Sequence, residues 1–211
     1  MCIRDRYNVA KGIVTQDDDG TYYSSKGIKI TNISSPHDIR AYVSDGTQYG
    51  TLTSGLVAPF GWTNVMYIRD GDMIRYYHNN VLKDSENIAG WGSINGSKNL
   101  RFGRGNSGSW KGNLSNARAW SAALDETERA AEIASQYPVR SANLIGSWSL
   151  DGDSKDTKYI VKGKIEGAID LKTNKWVDLG AIDASGSVTM AFWLKKRDTN
   201  SGYLLDGRGT G

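Results

Sequence analysis

The 211-residue chain has room for one large or two small domains, and 38% hydrophobic residues, with 7 Trp and 11 Tyr, suffice to build a core. Its 25 Gly against 3 Pro suit a turn-rich β protein better than a helical one. A net charge of +3, with no basic cluster beyond Lys195-Lys196-Arg197, is too small for a nucleic-acid footprint, and no apolar run approaches the ~18 residues of a membrane span.

Met1-Cys2-Ile3-Arg4-Asp5-Arg6 resembles the translation of a sequencing adapter, so residues 1–6 are read as a scar and left out of the fold. Cys2 is the only cysteine, and without it neither a disulfide framework nor thiol chemistry is expected. Residues 7–60 read as short strands and turns. Tyr7–Thr15 is a weak strand, and Asp17-Asp18-Asp19-Gly20 is an exposed acidic turn in preference to a cation site. Thr21–Ser25 and Ile28–Ile33 are the next strands, with Ile28 and Ile30 on one face because side chains alternate. Asp38–Ser44 and Gln48–Thr53 flank a hairpin turn at Asp45-Gly46, and 55–61 is a loop.

Trp62–Arg69 reads as a strand rich in aromatic and branched residues. Asp70-Gly71 turns it into the return strand Met73–His78, which ends at a second turn, Asn79-Asn80. The long connection from Lys83 to Lys98 carries Trp91 between Gly90 and Gly92. Leu100-Arg101-Phe102-Gly103 and Trp110–Trp120 are further strands. Ser121–Ser135 is the one helix, with Asp125 and Glu128 spaced as a capping box and Leu124, Ala131 and Ile133-Ala134 as a thin apolar stripe. Its acidic cluster belongs to the helix N-terminus, where the dipole favours negative charge.

The order of Trp62, the Asp-Gly hairpin, the Tyr76-Tyr77-His78-Asn79-Asn80 strand and turn, Leu100–Gly103, Lys111-Gly112-Asn113-Leu114 and the following helix resembles the later part of the laminin-G-like, or concanavalin-A-like, jelly-roll family. Asn80 stands where that family more often has Gly, but Asn also tolerates the left-handed conformation. After a linker at 138–143 the pattern restarts. Leu144–Asp153, Ala168–Leu171, Lys175–Gly180 and Ser187–Lys195 resemble the opening strands of such a domain, and Val188, Met190, Phe192 and Leu194 alternate with Thr189, Ala191 and Trp193. The expectation is a piece of a tandem array: 7–137 the last two-thirds of one domain, 144–211 the first third of the next. Residues 144–211 could then fold back and complete the first sandwich as a permutant, since the chain ends of such domains lie close together. The expected fold class is an all-β antiparallel β-sandwich jelly roll with one short surface helix.

The same jelly roll carries glycosidases, whose paired carboxylates must stand ~5 Å apart. No strand here has that spacing: Asp70 and Asp72 sit in a turn, and Asp170 stands alone. His37 and His78 are near no nucleophile-elbow motif, and His78 reads as a surface or half-buried strand residue. No catalytic residue is therefore assigned. Trp91 and Trp110 are the candidate ligand contacts, because an aromatic face in a loop packs against a sugar ring. Each has a second reading as a cap on the sandwich, which the area a tryptophan buries favours. Asp151, Asp153 and Asp156 offer hard oxygens in a loop, and the resemblance implies a structural Ca2+ there; a solvated turn is the alternative.

The implied function is a non-catalytic recognition module, carbohydrate-binding or adhesive, on an extracellular or virion-surface protein. Its partners would be a glycan or glycoprotein surface and neighbouring domains of the same chain, with no nucleic acid and no membrane span. A structural repeat of a phage tail and an accessory domain of a secreted glycoside hydrolase are the alternatives.

Overall fold

The computed structural model describes residues 11–15, 26–32, 38–57, 62–96, 100–102, 112–135, 137–148, 169–171, 177–180, 183 and 186–196. Strands β1 (Lys11–Thr15), β2 (Gly27–Asn32), β3 (Asp38–Ser44) and β4 (Tyr49–Val57) run as an antiparallel meander. With β8 (Leu100–Phe102) and β12 (Val177–Gly180) they form a six-stranded sheet in the order β12-β8-β1-β2-β3-β4. The second sheet follows the order β10-β9-β13-β5-β6-β7, with β5 at Thr63–Asp70, β6 at Met73–His78, β7 at Val81–Asn87, β9 at Gly112–Trp120, β10 at Leu144–Trp148 and β13 at Val188–Lys196. A short strand, β11 (Ile169–Leu171), extends it by pairing with β9. The result is an antiparallel β-sandwich, as expected, with one short helix among the described residues.

Local chemistry sets the hairpins. Gly71 turns β5 into β6 at a positive φ of 59°. Asn79 and Asn80 turn β6 into β7 with φ of 47° and 63°, the two left-handed residues that a two-residue hairpin turn accepts most readily from Asn. The Asn79 side chain also accepts from the Asn64 backbone N–H at 2.8 Å, tying the turn to the start of β5.

The main core lies between the sheets. Ile28, Ile30, Ile39, Val43 and Leu52 from the first sheet meet Val65, Tyr67, Ile74, Tyr76, Val188, Phe192 and Leu194 from the second. β13 makes the second sheet continuous. It pairs with β5 from Val188↔Arg69 to Leu194↔Thr63, and on its other edge with β9 from Thr189↔Trp120 to Lys196↔Gly112. The alternation read in its sequence holds: Val188, Met190, Phe192 and Leu194 enter the main core, while Ala191 faces the other way. In β10 the Trp148 ring covers Gly146, where a Cβ would collide with the indole.

Helix α1 (Glu126–Ala134) lies over the outer face of the second sheet, where Met66, Ile68, Tyr77, Trp120, Leu124 and Ala191 make a second core with Ile133 and Val139 against it. The capping box forms as expected: the Asp125 side chain accepts from the Glu128 N–H at 2.8 Å, and the Asp125 N–H donates to the Glu128 carboxylate at 3.0 Å. The expected apolar stripe is only partly realised. Ala131 and Ala134 are exposed, and the buried helix residue is Glu132, which meets the guanidinium of the equally buried Arg118 and accepts from the Val139 N–H. Arg118 also donates to the Tyr137 carbonyl at 3.0 Å, so a strand cation closes the helix C-terminus onto the sheet.

β7 is a strand where the sequence predicts a loop. Its residues, Val81-Leu82-Lys83-Asp84-Ser85-Glu86-Asn87, bury little and carry no period-two apolar signal, because β7 is an edge held by its backbone pairing to β6. Its acidic side chains close the sandwich. Asp84 accepts from the Thr53 N–H of the opposite edge strand β4 at 2.9 Å, and Glu86 lies beside Gly50. The expected strand Thr21–Ser25 and acidic turn 17–20 lie outside the described residues. Among the described residues no helix is long and apolar enough to cross a membrane.

Candidate functional site

The site is built on the β3–β4 hairpin. Ser44 pairs with Tyr49, leaving the loop Asp45-Gly46-Thr47-Gln48 between them. Ser44 Oγ accepts from the Gly46 N–H at 3.0 Å and donates to the Gln48 carbonyl at 2.9 Å, and Gly46 takes a positive φ of 92°. Asp45 is buried and fully engaged. One carboxylate oxygen accepts from the Thr47 N–H (2.7 Å), the Thr47 hydroxyl (2.8 Å) and the Gln48 N–H (2.7 Å). The other accepts from the Gly92 N–H at 2.7 Å, across 47 residues of sequence.

That last bond joins the hairpin to an arch, residues 88–96. Ile88 and Ile94 are buried in the main core and fix its two feet. The Ile88 N–H donates to the Asp72 carbonyl at 2.8 Å, and the Trp91 N–H folds back to the Ile88 carbonyl at 3.0 Å. Gly90 adopts a φ of 80°, which makes the tight bend before Trp91 possible. Beyond the bend, the Asn95 side-chain amide donates to Asp183 at 2.7 Å.

Between hairpin and arch opens a cleft of about 540 Å³ lined by Lys26, Asp45, Gly46, Thr47, Gln48, Gly90 and Gly92. Lys26 reaches it because β2 pairs Gly27 with Ser44. The lining exposes about as much apolar as polar surface. The N–H groups of Gly46, Thr47, Gln48 and Gly92 and the Thr47 hydroxyl proton already donate to Ser44 and Asp45, so the polar groups turned to a ligand are the Lys26 ammonium, the Gln48 side-chain amide and the Thr47 hydroxyl oxygen as acceptor. Tyr49, next to Gln48 in sequence, leaves 49% of its surface exposed. Burial by itself would raise the Asp45 pKa, but the N–H groups of Gln48, Thr47 and Gly92, with the Thr47 hydroxyl, outweigh it and hold the carboxyl well below the usual carboxylate range. Asp45 is thus a fixed anion whose oxygens shape the cleft.

Trp91 is half-buried and packs against the main core, so its indole is turned toward the sandwich while its neighbours Gly90 and Gly92 border the cleft. Trp110 lies outside the described residues, as do Asp151, Asp153 and Asp156. Among the described residues no group of three or more His, Cys, Asp or Glu is placed to hold a metal ion. His78 differs from expectation. It is 2% exposed, and its Nε2 lies 2.9 Å from the Tyr76 hydroxyl, because both residues point into the sandwich from β6. The residue missed in the sequence is Asp45. Its Asp-x-Thr pattern signals a side-chain-closed turn, but nothing local signals the bond to Gly92.

A family model described as the concanavalin A-like lectin/glucanases superfamily, of the laminin-G type, matches residues 5–128. No curated protein and no solved structure matches the chain.

Proposed function

The chain belongs to the concanavalin A-like lectin/glucanases superfamily, and from that membership we propose that it is a non-catalytic recognition module that binds carbohydrate, on an extracellular or virion-surface protein. The observation that carries this reading is the open cleft between the β3–β4 hairpin and the Trp91 arch. A saccharide presents many hydroxyls that each donate and accept. The Lys26 ammonium, the Gln48 side-chain amide and the Thr47 hydroxyl oxygen can answer them, and the prior tethering of the arch by Asp45 removes part of the ordering cost of binding. Tyr49 supplies an exposed ring within one residue of the cleft.

A panel of immobilised glycans tests the reading. Trp91→Ala alone confounds it, since that ring packs on the core. Gln48→Ala and Tyr49→Ala change exposed positions instead and should leave the melting temperature unchanged. Loss of a stacked ring or a good hydrogen bond is expected to weaken binding about tenfold. No binding to any glycan, or binding indifferent to both substitutions, contradicts the cleft. Release of reducing ends from a polysaccharide contradicts the non-catalytic reading.

Calcium belongs to the same proposal. Asp151, Asp153 and Asp156 supply, within six residues of sequence, the hard carboxylate oxygens that calcium prefers. Calcium should raise the melting temperature above that in EDTA; identical melting curves would remove the ion from the account.

A further inference from the structure

We propose that Asn95 is a site of spontaneous chemical ageing: its side-chain amide converts to aspartate and isoaspartate, and the conversion unclamps the Trp91 arch. Asn95-Gly96 is the one Asn-Gly pair in the sequence. A glycine has no Cβ to crowd its own amide nitrogen, and the chain through it bends freely. Residues 91–96 belong to no strand, so no sheet ladder fixes the Asn95 backbone. Its N–H donates to Ser93 Oγ at 3.2 Å, and its side-chain amide donates to Asp183 Oδ1 at 2.7 Å, both at the solvent-facing side of the arch. Water, the only co-reactant, reaches both groups.

The step balances without any oxidant or catalyst. The Gly96 backbone nitrogen gives its proton to solvent and bonds to Asn95 Cγ. The Cγ–Nδ2 bond breaks, and the amide nitrogen takes a proton from water and leaves as ammonia, closing a five-membered succinimide. Water then adds to either ring carbonyl and one ring C–N bond breaks, giving aspartate or isoaspartate. One water is consumed, one ammonia is released and no atom changes oxidation state. Aspartate places a carboxylate where an N–H had donated to Asp183, so attraction becomes like-charge repulsion. In isoaspartate Cγ passes into the main chain and the free carboxylate sits on the former main-chain carbonyl carbon, so the donor to Asp183 is lost. Isoaspartate also lengthens the backbone at that point. The effect on binding rests on the cleft being the recognition site; the chemistry and the loosening of the arch do not.

The test uses the folded chain, aged at mildly alkaline pH and mapped by peptide mass spectrometry beside a free peptide spanning 91–98. The peptide carrying Asn95 is expected to gain the mass of oxygen replacing NH and to split into two isomers. Gly96→Ala should slow the conversion on the order of tenfold, by crowding the attacking nitrogen. Asn95→Asp, which needs no ageing, should lower the melting temperature by about 2 °C. Asn95 left intact in the folded chain after the free peptide has converted would overturn the proposal. So would an Asn95→Asp variant that melts with the wild type. Both readouts need no ligand, so a failed glycan screen leaves this result standing and a failed ageing experiment leaves the cleft standing.

Discussion

Residues 7–137 expressed alone are expected not to fold. They contain β5 and β9 but not the strand between them, since β13 comes from Val188–Lys196. Removing it leaves two unpaired edges in the middle of a sheet, a form that invites aggregation. It also strips Val188, Met190, Phe192 and Leu194 from the main core. At about 1.5–3 kcal/mol for each buried side chain the loss is about 6–12 kcal/mol, comparable to the entire stability of a domain. Circular dichroism and size-exclusion chromatography check this: no cooperative melt, and aggregation or dye-binding apolar surface. A monomer of 7–137 that melts cooperatively contradicts it. We read the arrangement as a permuted order, with strands that resemble the opening of a laminin-G-like unit following those that resemble its close.

Asp45→Ala is expected to cost about 3 kcal/mol, because it strands the N–H groups of Thr47, Gln48 and Gly92 that now donate to one carboxylate. The arch is released from the hairpin, so binding weakens along with stability. Asp45→Asn keeps the shape and isolates the charge. The folded-state pKa of Asp45 lies below its unfolded value, so in acid the unfolded chain binds the extra proton. The carboxylate's contribution is therefore complete above the ordinary Asp pKa of about 4 and is lost as pH falls toward the depressed folded value. Urea denaturation of wild type and Asp45→Asn across that range should show a gap that is widest near neutrality and narrows in acid. A gap independent of pH would show that the charge does not hold the arch.

What could be read from the sequence follows how far each signal reaches along the chain. The Asp70-Gly71 and Asn79-Asn80 hairpins, the Asp125–Glu128 capping box and the alternation in β13 are local, each decided within a few residues, and all are present in the fold. β7 was not legible, because an exposed edge strand needs no apolar period; only its pairing to β6 defines it. Glu132 escaped for the opposite reason. A carboxylate on the buried face of a helix makes sense only with Arg118, fourteen residues away, beside it. The candidate site depends on the same kind of contact. Asp45 and Gly92 are 47 residues apart, so the sequence showed an Asp-Gly turn and a glycine-flanked tryptophan as unrelated features. Trp91 drew attention for its ring, yet its neighbours' backbone borders the cleft while the ring packs on the core.

The most direct test of the proposed recognition cleft is to titrate the isotope-labelled chain with the best-binding glycan and follow each backbone amide by NMR. The account predicts that the largest shifts fall on Gly46, Thr47, Gln48, Gly90 and Gly92, with smaller ones on Lys26 and Tyr49. Shifts gathered on another face of the sandwich, with the hairpin and arch unmoved, would contradict it.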